Sequence, residues 1–224
     1  MHPVSHRYRV WLAVLLVAAP AIELAETILS PLTDGSTADD LREIAADRSA
    51  FVASVLLGIV STVLLVPALG GLARVAWVRT PKLAAVSGSL AVLSMLGFMG
   101  VRFGQAVELA AVDRHVPAHT AADLLEGASG NPLGAVILVL FLGGTVLGIL
   151  GLAATVWRAR LAPAPAAVLL LVFPFVDLLT SGHLGTVVAH VLALAGLGWI
   201  GLSIARADDL AATAPTPTDR VATA

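Results

Sequence analysis

The sequence predicts an all-α polytopic membrane bundle: six transmembrane helices forming three parallel hairpin repeats, with short outer amphipathic helices in the first two hairpins. Three observations carry this. The 224 residues are 58% hydrophobic and only 12% charged, with mean hydropathy +0.94, where soluble domains average about 25% charged residues. Six apolar runs are each continuous enough to cross about 30 Å of hydrocarbon, which takes roughly 20 helical residues. An acid-bearing stretch, Pro20-Ala21-Ile22-Glu23-Leu24, returns in related form as Gln105-Ala106-Val107-Glu108-Leu109 and as Pro174-Phe175-Val176-Asp177-Leu178.

The spans are expected near 10–29, 50–73, 83–112, 132–156, 164–181 and 184–204, pairing as hairpins 10–73, 83–156 and 164–204 within one domain, 1–206. Helices satisfy their own backbone groups in lipid, and no period-2 alternation points to a barrel. The first run follows His6-Arg7-Tyr8-Arg9 and precedes Ala19-Pro20-Ala21, a pattern that also reads as a signal peptide cleaved after Ala21. The apolar run continues through Ile28 and Leu29, which favours a retained span.

Between the first two spans, Thr37-Ala38-Asp39-Asp40-Leu41-Arg42-Glu43 resembles Thr120-Ala121-Ala122-Asp123-Leu124-Leu125-Glu126 between the next two, at an offset that persists to Thr62 against Thr145. In each, Thr is expected to cap a short helix with the Asp three residues on near the positive end of its dipole. Leu41 and Ile44, or Leu124 and Leu125, are then expected to face the bundle. The third hairpin has only Thr180-Ser181-Gly182-His183 at that place. Residues 207–224 are rich in Thr, Pro and Ala and read as a disordered cytoplasmic tail.

Arg7, Arg9, Arg74, Arg79, Lys82, Arg158, Arg160 and Arg206 fall on one side of these spans, and only Arg42, Arg48 and Arg114 on the other. The bias in basic residues places both termini in the cytoplasm of a multi-pass plasma-membrane protein, with Trp77 and Trp157 as interfacial anchors. All three hairpins then enter from the same side, so the repeats are parallel rather than inverted.

Ionisable side chains inside a bilayer cost several kcal/mol unless paired or hydrated, so each is a candidate functional residue. Glu23, Glu26, Arg102, Gln105, Glu108, Asp177 and His190 make up this set. At about 1.5 Å per residue, Glu23 and His190 lie roughly 9 Å inside the outer boundary. Arg102 is expected to reach a carboxylate on another helix, Glu23 first. Four acids against one Arg leave negative charge for protons or a cationic ligand to balance. Pro20 and Pro174, three residues before an acid, are expected to open space by kinking their helices, with Gln105 in the corresponding place of the middle copy.

Other chemistries find little footing. There is no Cys, hence no disulfide, thiolate ligand or cysteine nucleophile. One Lys and a formal charge of -2 give no basic surface for nucleic acid. His183 and His190 stand about 10 Å apart along a helix, too far to share a metal easily, and no metal or cofactor is expected. Gly70-Gly71 and Gly143-Gly144 suit close helix packing.

With this polar layer in place, the chain resembles the small six-helix integral membrane proteins of high-GC bacteria. That resemblance implies a membrane location and no activity. Three readings follow from the residues. One is a polar, acidic pocket in the outer half of the bilayer that binds or transports a small ligand, cation or proton. Another is a structural or accessory subunit, with a membrane-protein partner or a second copy of itself. The third is a membrane-embedded, metal-assisted enzyme, which the missing ligand motifs argue against.

Overall fold

The structure is a computed structural model that describes residues 5–32, 35–180 and 182–207; the expected tail therefore lies, from residue 208 on, outside the described residues. Those residues form helices and connecting turns, with no strand among them. The helices are α1 (His6–Leu29), α2 (Thr37–Ala46), α3 (Arg48–Ala76), α4 (Pro81–Asp113), α5 (Ala118–Gly130), α6 (Pro132–Leu138), α7 (Gly144–Ala159), α8 (Ala164–Leu179) and α9 (His183–Ala205). A five-residue π-helical segment, Val139–Gly143, joins α6 to α7 in one continuous rod. Five rods are long and apolar enough to cross a membrane: α1, α3, α4, Pro132–Ala159 and α9. The apolar helix α8 is shorter, at 16 residues, or about 24 Å.

Six rods make a ring in the order α1, α3, α4, α7, α8, α9 and back to α1. Neighbours run antiparallel. Gly71 meets Leu12 across α3 and α1, Gly88 meets Ala73 across α4 and α3, and Gly201 meets Ala13 across α9 and α1. Several of these approaches leave no room for a side chain. A Cβ on Gly148 would stand 2.5 Å from the Ala91 backbone nitrogen, which brings α7 and α4 together backbone to backbone. Within the paired glycines the work is unequal: Gly71 and Gly144 sit at tight contacts, whereas nothing lies within 4 Å of a Cβ on Gly143 and only Val92 approaches one on Gly70, at 3.7 Å.

At the end of the ring where α1 begins and α9 finishes, the interior is filled. Leu12, Leu16, Leu72, Leu152, Val156 and Ile200 form its buried apolar core. Towards the opposite end, which carries α2 and α5, the rods enclose a cavity instead. Trp77 and Trp157 are exposed at helix ends on the filled side.

The two short helices differ from expectation in their caps and inward faces. Ser36, not Thr37, caps α2: its hydroxyl accepts from the Asp39 N–H, and the Asp39 carboxylate accepts from the Ser36 N–H, a reciprocal capping box. The Asp three residues after the cap therefore counts from Ser36. In α5 the preceding residue is Pro117, with no side-chain cap, and Thr120 lies within the first turn. Leu41 and Ile44 are buried as expected, but α5 turns Ala121 and Ala122 inward and leaves Leu124 exposed. Arg48 and Asp113 form a two-bond ion pair at 2.7 and 2.8 Å, tying the start of α3 to the end of α4.

Candidate functional site

Arg102 is the organising residue. On α4 it is 4% exposed, and its guanidinium reaches α1. Nη1 donates to Glu26 Oε1 at 2.9 Å and Nη2 to Glu26 Oε2 at 3.1 Å, the two-pronged fit that guanidinium and carboxylate share. Nη2 also donates to Glu23 Oε1 at 3.2 Å, and Nη1 to Gln105 Oε1 at 3.1 Å. Glu23 and Glu26 stand three residues apart on one face of α1, so one cation holds both. The expected Arg102–Glu23 pair is present, but Glu26 makes the closer contact.

Two features seat the guanidinium. Gly58 on α3 has no side chain because Arg102 occupies that space: a Cβ there would lie 2.3 Å from Arg102 Cζ. The Phe98 ring lies one turn before Arg102 with its centroid 4.3 Å from Cζ, a cation–π contact. Phe98 in turn stacks on Phe141, with centroids 4.8 Å apart and planes within 6°. Phe141 belongs to the π-helical segment, whose extra backbone room per turn alters side-chain register locally. The chain from π segment through two rings to Arg102 and α1 is thus continuous.

Beside this cluster lies a cavity of about 320 Å³, at the small end of ligand pockets. Its polar wall includes Glu23, Glu26 and Arg102, with Asp177 and His190 from α8 and α9. Its apolar wall includes Leu65, Leu69, Met95, Ile149, Leu170 and Leu197. Pro20, on the α1 face that carries Glu23, is also in the lining. Ser61 on α3 donates to the Ala19 carbonyl at 2.9 Å, so the backbone just before Pro20 is held by a neighbouring helix.

Glu23 presents an unpaired carboxylate oxygen here. Glu23 is 6% exposed, and its Oε2 has no hydrogen-bond partner among the described residues. A buried carboxylate oxygen left unpaired is costly. The His190 Nδ1 lies 2.8 Å from the Thr186 carbonyl oxygen. A carbonyl only accepts, so Nδ1 carries a proton and Nε2 is left for the cavity. The His190 ring meets Phe173 edge-on with centroids 6.0 Å apart. Asp177 is half-buried and makes no hydrogen bond among the described residues.

Six of the seven residues singled out by sequence thus gather around one place: Glu23, Glu26, Arg102, Asp177 and His190 line the cavity, and Gln105 braces Arg102. Glu108 stands apart. It is partly exposed on α4 and outside the cavity lining, and the charge of Asp40 on α2 acts on it. Its place follows from geometry: six residues beyond Arg102, it is turned about 120° around the helix. Sequence reasoning missed Gly58, Phe98, Phe141 and Thr145. Thr145 matches Thr62 in the offset noted above, yet Thr62 donates to the Gly58 carbonyl whereas Thr145 Oγ1 is buried, unpartnered and in the cavity wall. No group of three His, Asp or Glu side chains among the described residues is placed to hold a metal ion.

Compared with known proteins, the chain matches no family model, no curated protein and no solved structure.

Proposed function

We propose that the chain is a six-span plasma-membrane protein with both termini cytoplasmic, whose cavity opens towards the outside and binds or transports a small cationic ligand. One observation carries the reading: Glu23, which keeps a buried carboxylate oxygen without a partner among the described residues, lines the cavity together with Asp177 and His190. Counted formally with His190 neutral, Glu23, Glu26 and Asp177 against Arg102 leave two negative charges, and a cation balances them at least in part.

The division of labour follows from the bonds. Arg102 donates to Glu26 and to Gln105, and its pair with Glu26 clamps α4 to α1. The second oxygen of Glu23, Asp177 and His190 meet the ligand. Six spans rest on the closed ring, in which α8 takes the place of a full-length rod. The three-hairpin arrangement draws support from α2 and α5 occupying matching connections, with the third left short.

Methylammonium is a suitable first probe. Radiolabelled methylammonium binding to the protein in nanodiscs, measured at neutral pH, is expected to fall about tenfold or more in Glu23→Gln, since a hydrogen bond to a charged group contributes about 1.5–3 kcal/mol. No binding by the unaltered protein, or equal binding by the variant, overturns the reading. Orientation is tested by Ser5→Cys and Ser129→Cys in the otherwise cysteine-free chain: an impermeant maleimide applied to intact cells is expected to label only Ser129→Cys.

A second reading, an accessory subunit, has one observation in its favour: no residue of Pro132–Gly143 is buried. Recovery of a stoichiometric membrane partner whose binding is lost on substituting Val136 and Val139 by Trp would support it; a homogeneous lone protein would count against it.

A further inference from the structure

We infer that the ligand is a single-chain amphipathic ammonium ion, with its head at Glu23, Asp177 and His190 and its hydrocarbon chain in the apolar half of the same cavity. This rests on the cation-binding reading above and adds a chemical class to it.

The cavity is divided along its length. Its ionisable groups are Glu23, Glu26, Arg102, Asp177, His183 and His190, all towards the end of the ring that carries α2 and α5. About two turns further along α8 and α9 stand Leu170 and Leu197, and Leu65 and Leu69 of α3 and Ile149 of α7 are also in its wall, next to the filled core. A hydrated metal ion or a proton has no use for that apolar wall. An anionic amphiphile meets Glu23 and Asp177 with the wrong sign, and a neutral one leaves Glu23 Oε2 without a cation. An ammonium head supplies three N–H donors, enough for the buried, unpartnered Glu23 Oε2, the Asp177 carboxylate and, with its imidazole neutral, His190 Nε2.

Size selects further. A volume of about 320 Å³ corresponds to roughly ten waters of liquid at about 30 Å³ each. A methylene group is of similar bulk, so an unbranched amine of about eight carbons fills the space. Ala193, three residues beyond His190 and four before Leu197 on α9, is 6% exposed and in the cavity wall, so a larger side chain there would take up space between the head site and Leu197.

The test is a chain-length series measured on the protein in nanodiscs, with protein-free nanodiscs subtracted: methylammonium, butylammonium and octylammonium, with octanol and octanoate as probes of equal chain and different head. Affinity is expected to rise about threefold to fourfold for each methylene buried, with octylammonium tightest and octanol and octanoate at least about tenfold weaker. Glu23→Gln is expected to weaken octylammonium and leave octanol unchanged. Ala193→Leu is expected to lower octylammonium affinity to the butylammonium level while methylammonium is retained.

Methylammonium binding with no gain from chain length overturns the amphiphile and leaves the cation reading standing. Absence of binding by every ammonium ion overturns both. Equal binding of octanol and octylammonium shows an apolar pocket indifferent to charge and also overturns the inference. The series on the unaltered protein decides the matter even if Ala193→Leu fails to fold.

Discussion

Gly58→Ala is the smallest change that tests the Arg102 cluster. The added methyl would lie 2.3 Å from Arg102 Cζ, 2.5 Å from Nη2 and 2.6 Å from Nε, where non-bonded carbon contacts settle near 3.5–4.0 Å. The guanidinium or helix α3 must therefore move by about 1 Å. Phe98, 4.3 Å from Cζ to its centroid, limits the retreat. A shift of that size carries the bonds of 2.9, 3.1 and 3.2 Å to Glu26 and Glu23 beyond useful hydrogen-bond length. Breaking a buried ion pair costs about 3–5 kcal/mol; with some contacts retained, about 2–4 kcal/mol is expected. At roughly 2–4 °C per kcal/mol for a chain of this size, the thermal unfolding midpoint in nanodiscs should drop by about 4–16 °C. The control is the same substitution in an Arg102→Ala background. There the clash is gone, and Ala for Gly within a helix should be neutral or stabilising by up to about 1 kcal/mol. Equal loss in both backgrounds, or no loss in the unaltered protein, refutes the account of Gly58 as the seat of Arg102.

Other expectations follow from single contacts. Ser61→Ala removes the hydroxyl that bonds the Ala19 carbonyl and should cost about 0.5–1.5 kcal/mol in equilibrium unfolding. Gly148→Ala should destabilise by about 1–3 kcal/mol by forcing α7 off α4, whereas Gly104→Ala, with open space around the new methyl, should stabilise by about 0.5–1 kcal/mol. Asp39 has its carboxyl held below the usual Asp range, first by the Ser36 hydroxyl and backbone N–H and then by Arg42. Because its folded value is depressed, the support it gives to the start of α2 is present above the ordinary Asp value and lost as pH falls through the folded one. Amide exchange at Asp39 and Asp40 should accelerate over that acid range, and Asp39→Asn should remove the pH dependence.

The helical architecture is legible in the sequence because lipid-facing helices need uninterrupted apolar runs; the rod boundaries fall within a few residues of those runs, with α1 starting at His6 and the fourth rod extending to Ala159. The polar cluster is legible for the complementary reason, that seven ionisable or amide side chains stand out in such runs. Facing is harder to read. Glu108 looks equivalent to Glu23 in its motif, but α4 is so uniformly apolar that no polar face fixes its rotation, and the residue ends near Asp40 rather than in the cavity. Gly58 is one glycine among 20, and its role appears only when the long reach of Arg102 from another helix is known. The π-helical segment has no marker in Val139-Leu140-Phe141-Leu142-Gly143, since a widened turn is set by packing against Gly97 and Gly100 rather than by local propensity. Ser36 and Thr37 are both competent caps, each with an Asp three residues on, so the sequence leaves the start of α2 open by one residue; the structure uses Ser36 with Asp39.

The Arg102 clamp also has a history within each molecule's synthesis. Glu23 and Glu26 leave the ribosome 79 and 76 residues before Arg102, which at about 5–20 residues per second is roughly 4–16 s. Through that interval Glu23 and Glu26 lack the guanidinium that later pairs with them, and each is expensive in hydrocarbon. Its stable residence in the bilayer therefore waits on the arrival of the third rod. A ribosome stalled between them leaves a nascent chain whose leading segment still exchanges between the insertion machinery, the interface and the lipid.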